Sequence, residues 1–162
     1  MTGRPWRKPP PERPLAEREI HIWRASLAES IFPIAEMADW LSPDEQERAD
    51  RFHFDRDWQH FIVARATLRY LLGHYLDQRP EDIQLAYGPQ GKPELANGRR
   101  RVFNLAHSHE LAVFAIAHQG QIGIDLEHIR RRRDLASLAQ RYFAPAEYEA
   151  WLELPENDQL TG

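Results

Sequence analysis

The feature that most constrains the fold is a long amphipathic segment in the first half of the chain. Apolar side chains recur at i, i+3 and i+4 spacing from Trp58 to Leu76, which is about five turns of an α-helix. A stripe of this kind buries one face of a helix against other elements. The pattern predicts a helix that begins near Asp57, and the remaining segments must supply the surface that covers it.

Shorter helices are indicated on both sides of this segment. A capping-box pattern occurs at Ser42-Pro43-Asp44-Glu45, with serine at the N-cap, proline at N1 and glutamate at N3. It predicts a short helix that runs towards Arg51. Near the end of the chain, residues 134–143 and 145–154 have helical patterns, and prolines stand at the start and after the end of the second one.

The other segments read as strands. The alternation that begins at Ile20 predicts one strand, and after Pro80 the sequence changes to short apolar segments between turn residues. Strands are predicted at residues 83–87, 101–107, 111–118 and 121–127, with Gln119-Gly120 as the tight turn that joins the last two. The order of strand, helices, strands and helices predicts an α+β fold with antiparallel strands.

Composition excludes several classes of protein. The chain has 162 residues, no cysteine and a net charge of −4, so it cannot use disulfides, cysteine-bound zinc or a thiol nucleophile, and a cytoplasmic location is favoured. The acidic surplus argues against a nucleic-acid binder, and no apolar stretch reaches the length of a membrane span. Residues 1–18 are rich in proline and arginine and are predicted to be a disordered leader.

Two carboxylates lie two residues apart in the last predicted strand. Because side chains alternate across a strand, Asp125 and Glu127 share one face with Gly123. Their Cα atoms would be about 7 Å apart, close enough for their oxygens to meet around one hard divalent cation. Mg²⁺ fits such a pair, and the glycine leaves room for a bulky ligand. The alternative is a half-buried strand whose polar face has no metal.

Cationic side chains on three other elements could bind an anion. Arg48 on the short capped helix and Lys92 in a glycine-proline turn could converge on a phosphate, since arginine binds it bidentately and lysine as a point charge. His107, at the end of a predicted strand, could hydrogen-bond to a phosphate. Each of these could also be a solvated side chain or a structural histidine. His107 and His109 together leave a zinc site as a further alternative, although it lacks additional ligands.

Taken in order, these segments resemble the 4′-phosphopantetheinyl transferases of the surfactin-synthetase-activating and holo-carrier-protein type. The resemblance covers the chain from about residue 19 to its end. The motifs that carry it are the stretch from Ser42 to Arg69, Gly91-Lys92-Pro93, Phe103-Asn104-Leu105-Ala106-His107-Ser108, Gly123-Ile124-Asp125-Leu126-Glu127, and Arg141-Tyr142-Phe143 followed by Glu147-Tyr148.

The resemblance implies a fold of two similar α+β lobes with coenzyme A between them. The N-terminal lobe would span residues 19–119, and residues 120–162 would begin a second, incomplete lobe. The implied reaction is Mg²⁺-dependent transfer of 4′-phosphopantetheine from coenzyme A to a serine of an apo acyl or peptidyl carrier protein, with release of 3′,5′-ADP. No nucleic acid or membrane is implied as a partner.

The resemblance also assigns roles to residues. Arg48 and Lys92 match positions that bind the phosphates of coenzyme A, and Asn104 and His107 match the motif near its 3′-phosphate. Asp125 matches the metal-binding aspartate. Its acidic companion is Glu127, and the catalytic set comprises these two acids with His107.

Two departures from the family pattern affect these expectations. Ala106 stands where the family usually has serine, so one hydroxyl contact to the 3′-phosphate is missing. The family continues with a Trp-x-x-Lys-Glu helix that supplies a further metal-binding glutamate and a lysine, and this sequence does not contain it. The chain is therefore expected to be a fragment, and a non-catalytic module that binds coenzyme A or a carrier protein is the alternative function.

Overall fold

The chain forms two compact units, of which the first combines helices with antiparallel sheets. The computed structural model describes residues 14–89, 91–96, 101–129, 135–155 and 159. The first unit spans Met1–Leu126 and the second Glu127–Gly162. The predicted α+β class is confirmed. The lobe boundary expected between residues 119 and 120 stays a prediction.

In the described part of the first unit, three helices follow the strand at Ile20–Ser26. Helix α1 spans Ile34–Asp39, α2 spans Pro43–Ala49 and α3 spans Asp55–Leu76, and a single 3-10 turn follows at Pro80–Asp82. The predictions of α2 and α3 are confirmed. The capping box of α2 forms as expected, because the backbone N–H of Ser42 donates to Oε2 of Glu45 at 3.1 Å.

Among the described residues of this unit, five strands form two antiparallel sheets. They are β1 (Ile20–Ser26), β2 (Leu85–Tyr87), β3 (Pro93–Leu95), β4 (Val102–Ser108) and β5 (Leu111–Ala117). The larger sheet has the order β1-β5-β4, and β2 and β3 form a separate hairpin. The strand predictions near residues 20, 83, 101 and 111 are confirmed with small changes of boundary, whereas β3 and α1 were not predicted.

The core lies between α3 and one face of the larger sheet. Alternate residues of β4 and β5 point towards the helix, and Phe103, Phe114 and Ile116 are buried there. Burial of an aliphatic or aromatic side chain of this size contributes about 1.5–3 kcal/mol. The helix supplies the other half of the core through Ile62, Val63, Leu68, Leu71 and Leu72.

The strand predicted at residues 121–127 is wrong, because residues 121–129 have no regular secondary structure. A hairpin with β5 would need a free edge on that strand, but β5 is central and pairs along its whole length with β1 on one side and β4 on the other. Because residues 121–129 form no strand, they do not pair with β4 either, although β4 lies at the edge of the larger sheet. Its burial still alternates, with Ile122, Ile124 and Leu126 half-buried between exposed residues.

The second unit contains two helices in its described part. Helix α4 spans Leu135–Tyr142 and α5 spans Pro145–Leu152, so both predicted helices are confirmed. Proline is the first residue of α5, as expected for a residue without a backbone N–H. Trp151 is buried, and its indole N–H donates to the backbone oxygen of Gln159 at 3.0 Å.

The predicted disordered leader falls largely on residues 1–13, which lie outside the described residues. Within residues 14–18, Leu15 is buried in the core of the first unit. Among the helices of the described ranges, none has the length and apolar character needed to cross a membrane.

Candidate functional site

Lys92 lies at the end of the loop that joins β2 to β3. The loop is closed by two backbone hydrogen bonds, from Gly88 N–H to Lys92 O at 3.0 Å and from Gly91 N–H to Gly88 O at 2.8 Å. Gly91 has φ 73°, a conformation that glycine adopts without strain. The Lys92 ammonium group donates to the backbone oxygen of Ile122 at 2.8 Å, so the structure brings Lys92 to the segment that contains Asp125.

Asp125 is exposed three residues after this contact. Three residues of extended chain span at most about 11 Å, so its backbone lies within that distance of Ile122. Its Oδ1 accepts the backbone N–H of Leu126 at 2.8 Å. Space is open beside Gly123, where a Cβ would meet no described atom within 4 Å. Lys92 therefore contacts the chain three residues before an exposed carboxylate.

Glu127 is exposed and is the first residue of the second unit. In the part of the chain that the structure describes, no group of three or more His, Asp or Glu side chains is arranged to hold a metal ion. The shared metal site of Asp125 and Glu127 stays a prediction.

Arg48 is exposed in the last turn of α2. Its guanidinium carbon lies 5.5 Å from the centre of the Phe61 ring on α3, a distance at which a cation is attracted to an aromatic face. The positive charge of Arg48 also acts on the hydroxyl of Tyr87, where it opposes the increase in pKa that burial causes. Arg48 therefore lies within electrostatic reach of the residue that precedes the Lys92 loop.

His107 and Asn104 lie on opposite faces of β4, because they are three positions apart. His107 is exposed and lies on the face that packs against α3. Asn104 is half-buried, and its side-chain oxygen accepts the backbone N–H of Leu105 at 2.9 Å. The structure does not bring these two side chains together, and their shared role at a 3′-phosphate stays a prediction. His109, the second histidine of the zinc alternative, lies in the turn after β4 with φ 57°.

The ring of His60 on α3 interacts electrostatically with His107. Burial lowers the pKa of His60, and the charges of Arg56 and His107 lower it further, whereas Glu110 and Asp57 raise it. Charged groups of α3 and of the turn after β4 therefore act on the His60 ring, and the sequence motifs did not include His60.

A buried ion cluster joins α2 to α3, and the sequence patterns did not reveal it. Glu45 accepts from Arg65 through Oε1 at 2.7 Å and from Arg69 through Oε2 at 2.6 Å. Arg69 also donates to the backbone oxygen of Ile83 at 2.7 Å. Arg65 donates to the hydroxyl of Tyr87. One available signal was the pair of arginines at i and i+4 within the apolar stretch of α3, because a buried charge at such positions needs an acidic partner.

The α+β fold thus carries the cationic and acidic motifs in the order in which the sequence resemblance gave them. The family model described as "4′-phosphopantetheinyl transferase, N-terminal" matches residues 22–123. The chain belongs to the 4′-phosphopantetheinyl transferase family, and the resemblance found in the motifs is confirmed together with the enzyme class it implies.

Individual relatives support this assignment. The 4′-phosphopantetheinyl transferase HetI of Nostoc sp. is 39% identical over 162 residues, which is 98% of this chain and 68% of HetI. AcpT of Salmonella typhi, a 4′-phosphopantetheinyl transferase, is 38% identical over 89 residues, covering 54% of this chain and 45% of AcpT. The mouse L-aminoadipate-semialdehyde dehydrogenase-phosphopantetheinyl transferase is 32% identical over 100 residues, covering 55% and 32% respectively. The chain thus spans about two thirds of HetI and less than half of the other two.

Proposed function

We propose that this chain is part of an enzyme that transfers 4′-phosphopantetheine from coenzyme A to a serine of an apo acyl or peptidyl carrier protein and releases 3′,5′-ADP. Family membership supports the reaction type. The single structural observation that carries the proposal is the 2.8 Å hydrogen bond from Lys92 to the Ile122 carbonyl. This contact supports the proposal because it joins Lys92 to the residue that directly precedes the segment containing Asp125.

The cationic residues would bind the anionic part of coenzyme A. Arg48 and Lys92 are the proposed contacts of the pyrophosphate, and His107 and Asn104 those of the 3′-phosphate. Hydrogen bonds between cationic side chains and phosphate oxygens are roughly twice as strong as neutral ones. Arg48 and His107 are exposed and Lys92 is half-buried, so all three can reach a ligand from solvent.

The donor chemistry of Asp125 and Glu127 fits Mg²⁺, which prefers one or two carboxylates together with water and substrate phosphate oxygens. Both residues are exposed, so neither needs to leave a buried position to bind a hydrated cation. These two residues would hold the ion. When bound, Mg²⁺ would stabilise the negative charge that develops on the leaving 3′,5′-ADP.

The proposed partners are coenzyme A and an apo carrier protein, without nucleic acid or membrane. A cytoplasmic location is part of the proposal, because the sequence has no cysteine and its predicted chemistry needs none.

The test is to incubate the full chain with coenzyme A, Mg²⁺ and an apo carrier protein, and to measure the mass of the intact carrier. We expect the carrier to gain one phosphopantetheine group, and to gain none when Mg²⁺ is replaced by a chelator. An unmodified carrier together with calorimetric binding of coenzyme A would instead favour the non-catalytic binding module. Failure to bind coenzyme A would contradict both functions.

A further inference from the structure

The buried ion cluster supports the two elements that carry Arg48 and Lys92. Glu45 and Arg69 are each 1% exposed and Arg65 is 6% exposed. Two arginines share one carboxylate, so every member has a charged partner inside the protein. Removing one member of such a cluster leaves an uncompensated buried charge, which is strongly unfavourable. The three side chains of the cluster are therefore held firmly in place within the first unit.

The first link runs through α2. Glu45 is held by α3 and lies three residues before Arg48 on the same short helix. Residues three apart on a helix are neighbours on its surface. Because the Glu45 carboxylate is held at both oxygens, the backbone that carries Arg48 is held as well.

The second link runs through Tyr87. The guanidinium of Arg65 donates to the Tyr87 hydroxyl, and its carbon lies 5.5 Å from the centre of the Tyr87 ring. Tyr87 is the last residue of β2 and pairs with Pro93 across the hairpin. The loop between them ends at Lys92. At 40% exposure, Tyr87 therefore extends from the buried cluster to the surface where Lys92 lies.

We propose that Tyr87 is a positioning residue for Lys92: its hydroxyl, held by Arg65, fixes the hairpin loop that presents the Lys92 ammonium group to the phosphates of coenzyme A. The inference rests on the proposed function for the identity of the ligand. The structural part of the inference, that the hydroxyl fixes the loop, can be tested without any ligand.

Tyrosine suits this role chemically. Its hydroxyl can accept from Arg65 and still donate outward, whereas phenylalanine offers only the ring. Burial raises the pKa of Tyr87, so the hydroxyl stays neutral near pH 7. It therefore places no negative charge that would compete with a phosphate for Lys92.

The test variant is Tyr87→Phe, which keeps the ring beside Arg65 and removes only the hydroxyl. We expect faster hydrogen exchange of the Gly88 and Gly91 amides, the two donors that close the loop. We also expect coenzyme A to bind about three- to tenfold more weakly, in line with the net contribution of one typical intramolecular hydrogen bond. Tyr87→Leu, which also removes the ring, should produce larger changes of the same kind.

The matched control is Tyr70→Phe. Tyr70 also lies in the first unit, but it stacks on Trp40 with ring centres 6.1 Å apart. It takes no part in the contacts that connect the buried ion cluster to α2 or to the hairpin loop. The same atom is removed, and we expect exchange at Gly88 and Gly91 and the affinity for coenzyme A to stay as in the wild type. If Tyr87→Phe leaves the exchange of both glycine amides at wild-type rates, the inference is overturned.

A double-mutant cycle separates positioning of Lys92 from direct contact with the ligand. Lys92→Ala should weaken coenzyme A binding in a strongly salt-dependent way. Adding Tyr87→Phe to Lys92→Ala should then cause no further loss, because the group being positioned is absent. An equal loss in both backgrounds would show that Tyr87 does not act through Lys92 and would overturn the inference.

Failure of the proposed function has a different signature. If the wild-type chain does not bind coenzyme A, the proposed function is contradicted. The exchange of the Gly88 and Gly91 amides then tests only the structural claim. Faster exchange in Tyr87→Phe but not in Tyr70→Phe supports the positioning of the loop. Exchange at the same rate in both variants overturns it.

Discussion

The cationic and acidic parts of the candidate site are supported in different ways. Arg48 and Lys92 lie on α2 and on the β2–β3 hairpin, and both elements connect to α3 through buried Glu45 and Arg65. Asp125 lies in a segment without regular secondary structure, and its carboxylate is exposed. The cationic part is thus built on a buried ion cluster, and the acidic part on a surface segment.

This difference indicates that the support of the cationic part affects the stability of the protein, whereas the acidic part affects its activity. Taking charges out of water costs several kcal/mol per ion, so the presence of a buried ion cluster adds little net stability. Removing one member is nevertheless costly, because its partners stay buried without a compensating charge. Substitutions in the cluster should therefore affect folding first. Substitution of an exposed carboxylate leaves the core unchanged and should affect only the chemistry.

The largest expected effect is that of Glu45→Gln. The substitution removes the charge that compensates Arg65 and Arg69 at an almost completely buried position. Breaking a buried pair in this way costs about 3–5 kcal/mol. We expect the free energy of unfolding, measured by urea denaturation of the full chain, to fall by about that amount.

The control is Glu47→Gln on the same helix. Glu47 forms an ion pair with Arg51 at 2.6 Å, but both side chains are about 70% exposed. Exposed i,i+4 pairs contribute about 0.3–0.5 kcal/mol. Similar losses in the two variants would contradict the distinction between the buried cluster and the protein surface.

The next effect in size is that of Asp125→Ala on turnover. If Asp125 holds the metal, its removal should lower the rate of Mg²⁺-dependent carrier modification by about a hundredfold or more. The free energy of unfolding should change by less than about 0.5 kcal/mol, as is usual for surface substitutions. Glu127→Gln should be less damaging if that residue only supports the aspartate. Undiminished turnover in Asp125→Ala would remove this residue from the site.

The helical part of the fold could be predicted from sequence because its determinants are local. The apolar periodicity from Trp58 to Leu76 and the capping box at Ser42 each specify a helix within a few turns of chain. Helix α1 and strand β3 were missed, since six and three residues are too short for periodicity to show.

The prediction of a strand at residues 121–127 was wrong because of a contact between segments that are distant in sequence. Its alternation is genuine and survives as alternating burial. Whether an alternating segment becomes a strand depends on a free partner edge, and β1 takes the edge of β5 that the hairpin would have used. Residues 20–26 and 111–117 are too far apart in sequence for that pairing to be inferred from local patterns.

The sequence predicted which residue types form the candidate site, but not the buried side chains that hold Arg48 and Lys92 in place. The capping box explained Glu45 as a local feature of α2, yet the same carboxylate pairs with arginines 20 and 24 positions away. No spacing rule connects residues at such separations. The tyrosine before the glycine-proline loop likewise gave no sign of its contact with Arg65.

The smallest expected effect concerns the pKa of His60. Burial is the main cause that lowers it, and Arg56 and His107 act in the same direction. Because the folded-state pKa lies below the unfolded value of about 6.5, the stability linked to His60 is fully present above that pH and is lost as the pH falls towards the folded-state pKa. His107→Gln removes one of the lowering charges, so the pKa of His60 should rise and this acid-linked loss should shrink. NMR titration of the His60 ring protons measures this change in pKa. The control is His74→Gln, because His74 lies about 21 Å from His60 along α3. An unchanged pKa of His60 in His107→Gln would contradict the proximity of His60 to the end of β4, where the 3′-phosphate is proposed to bind.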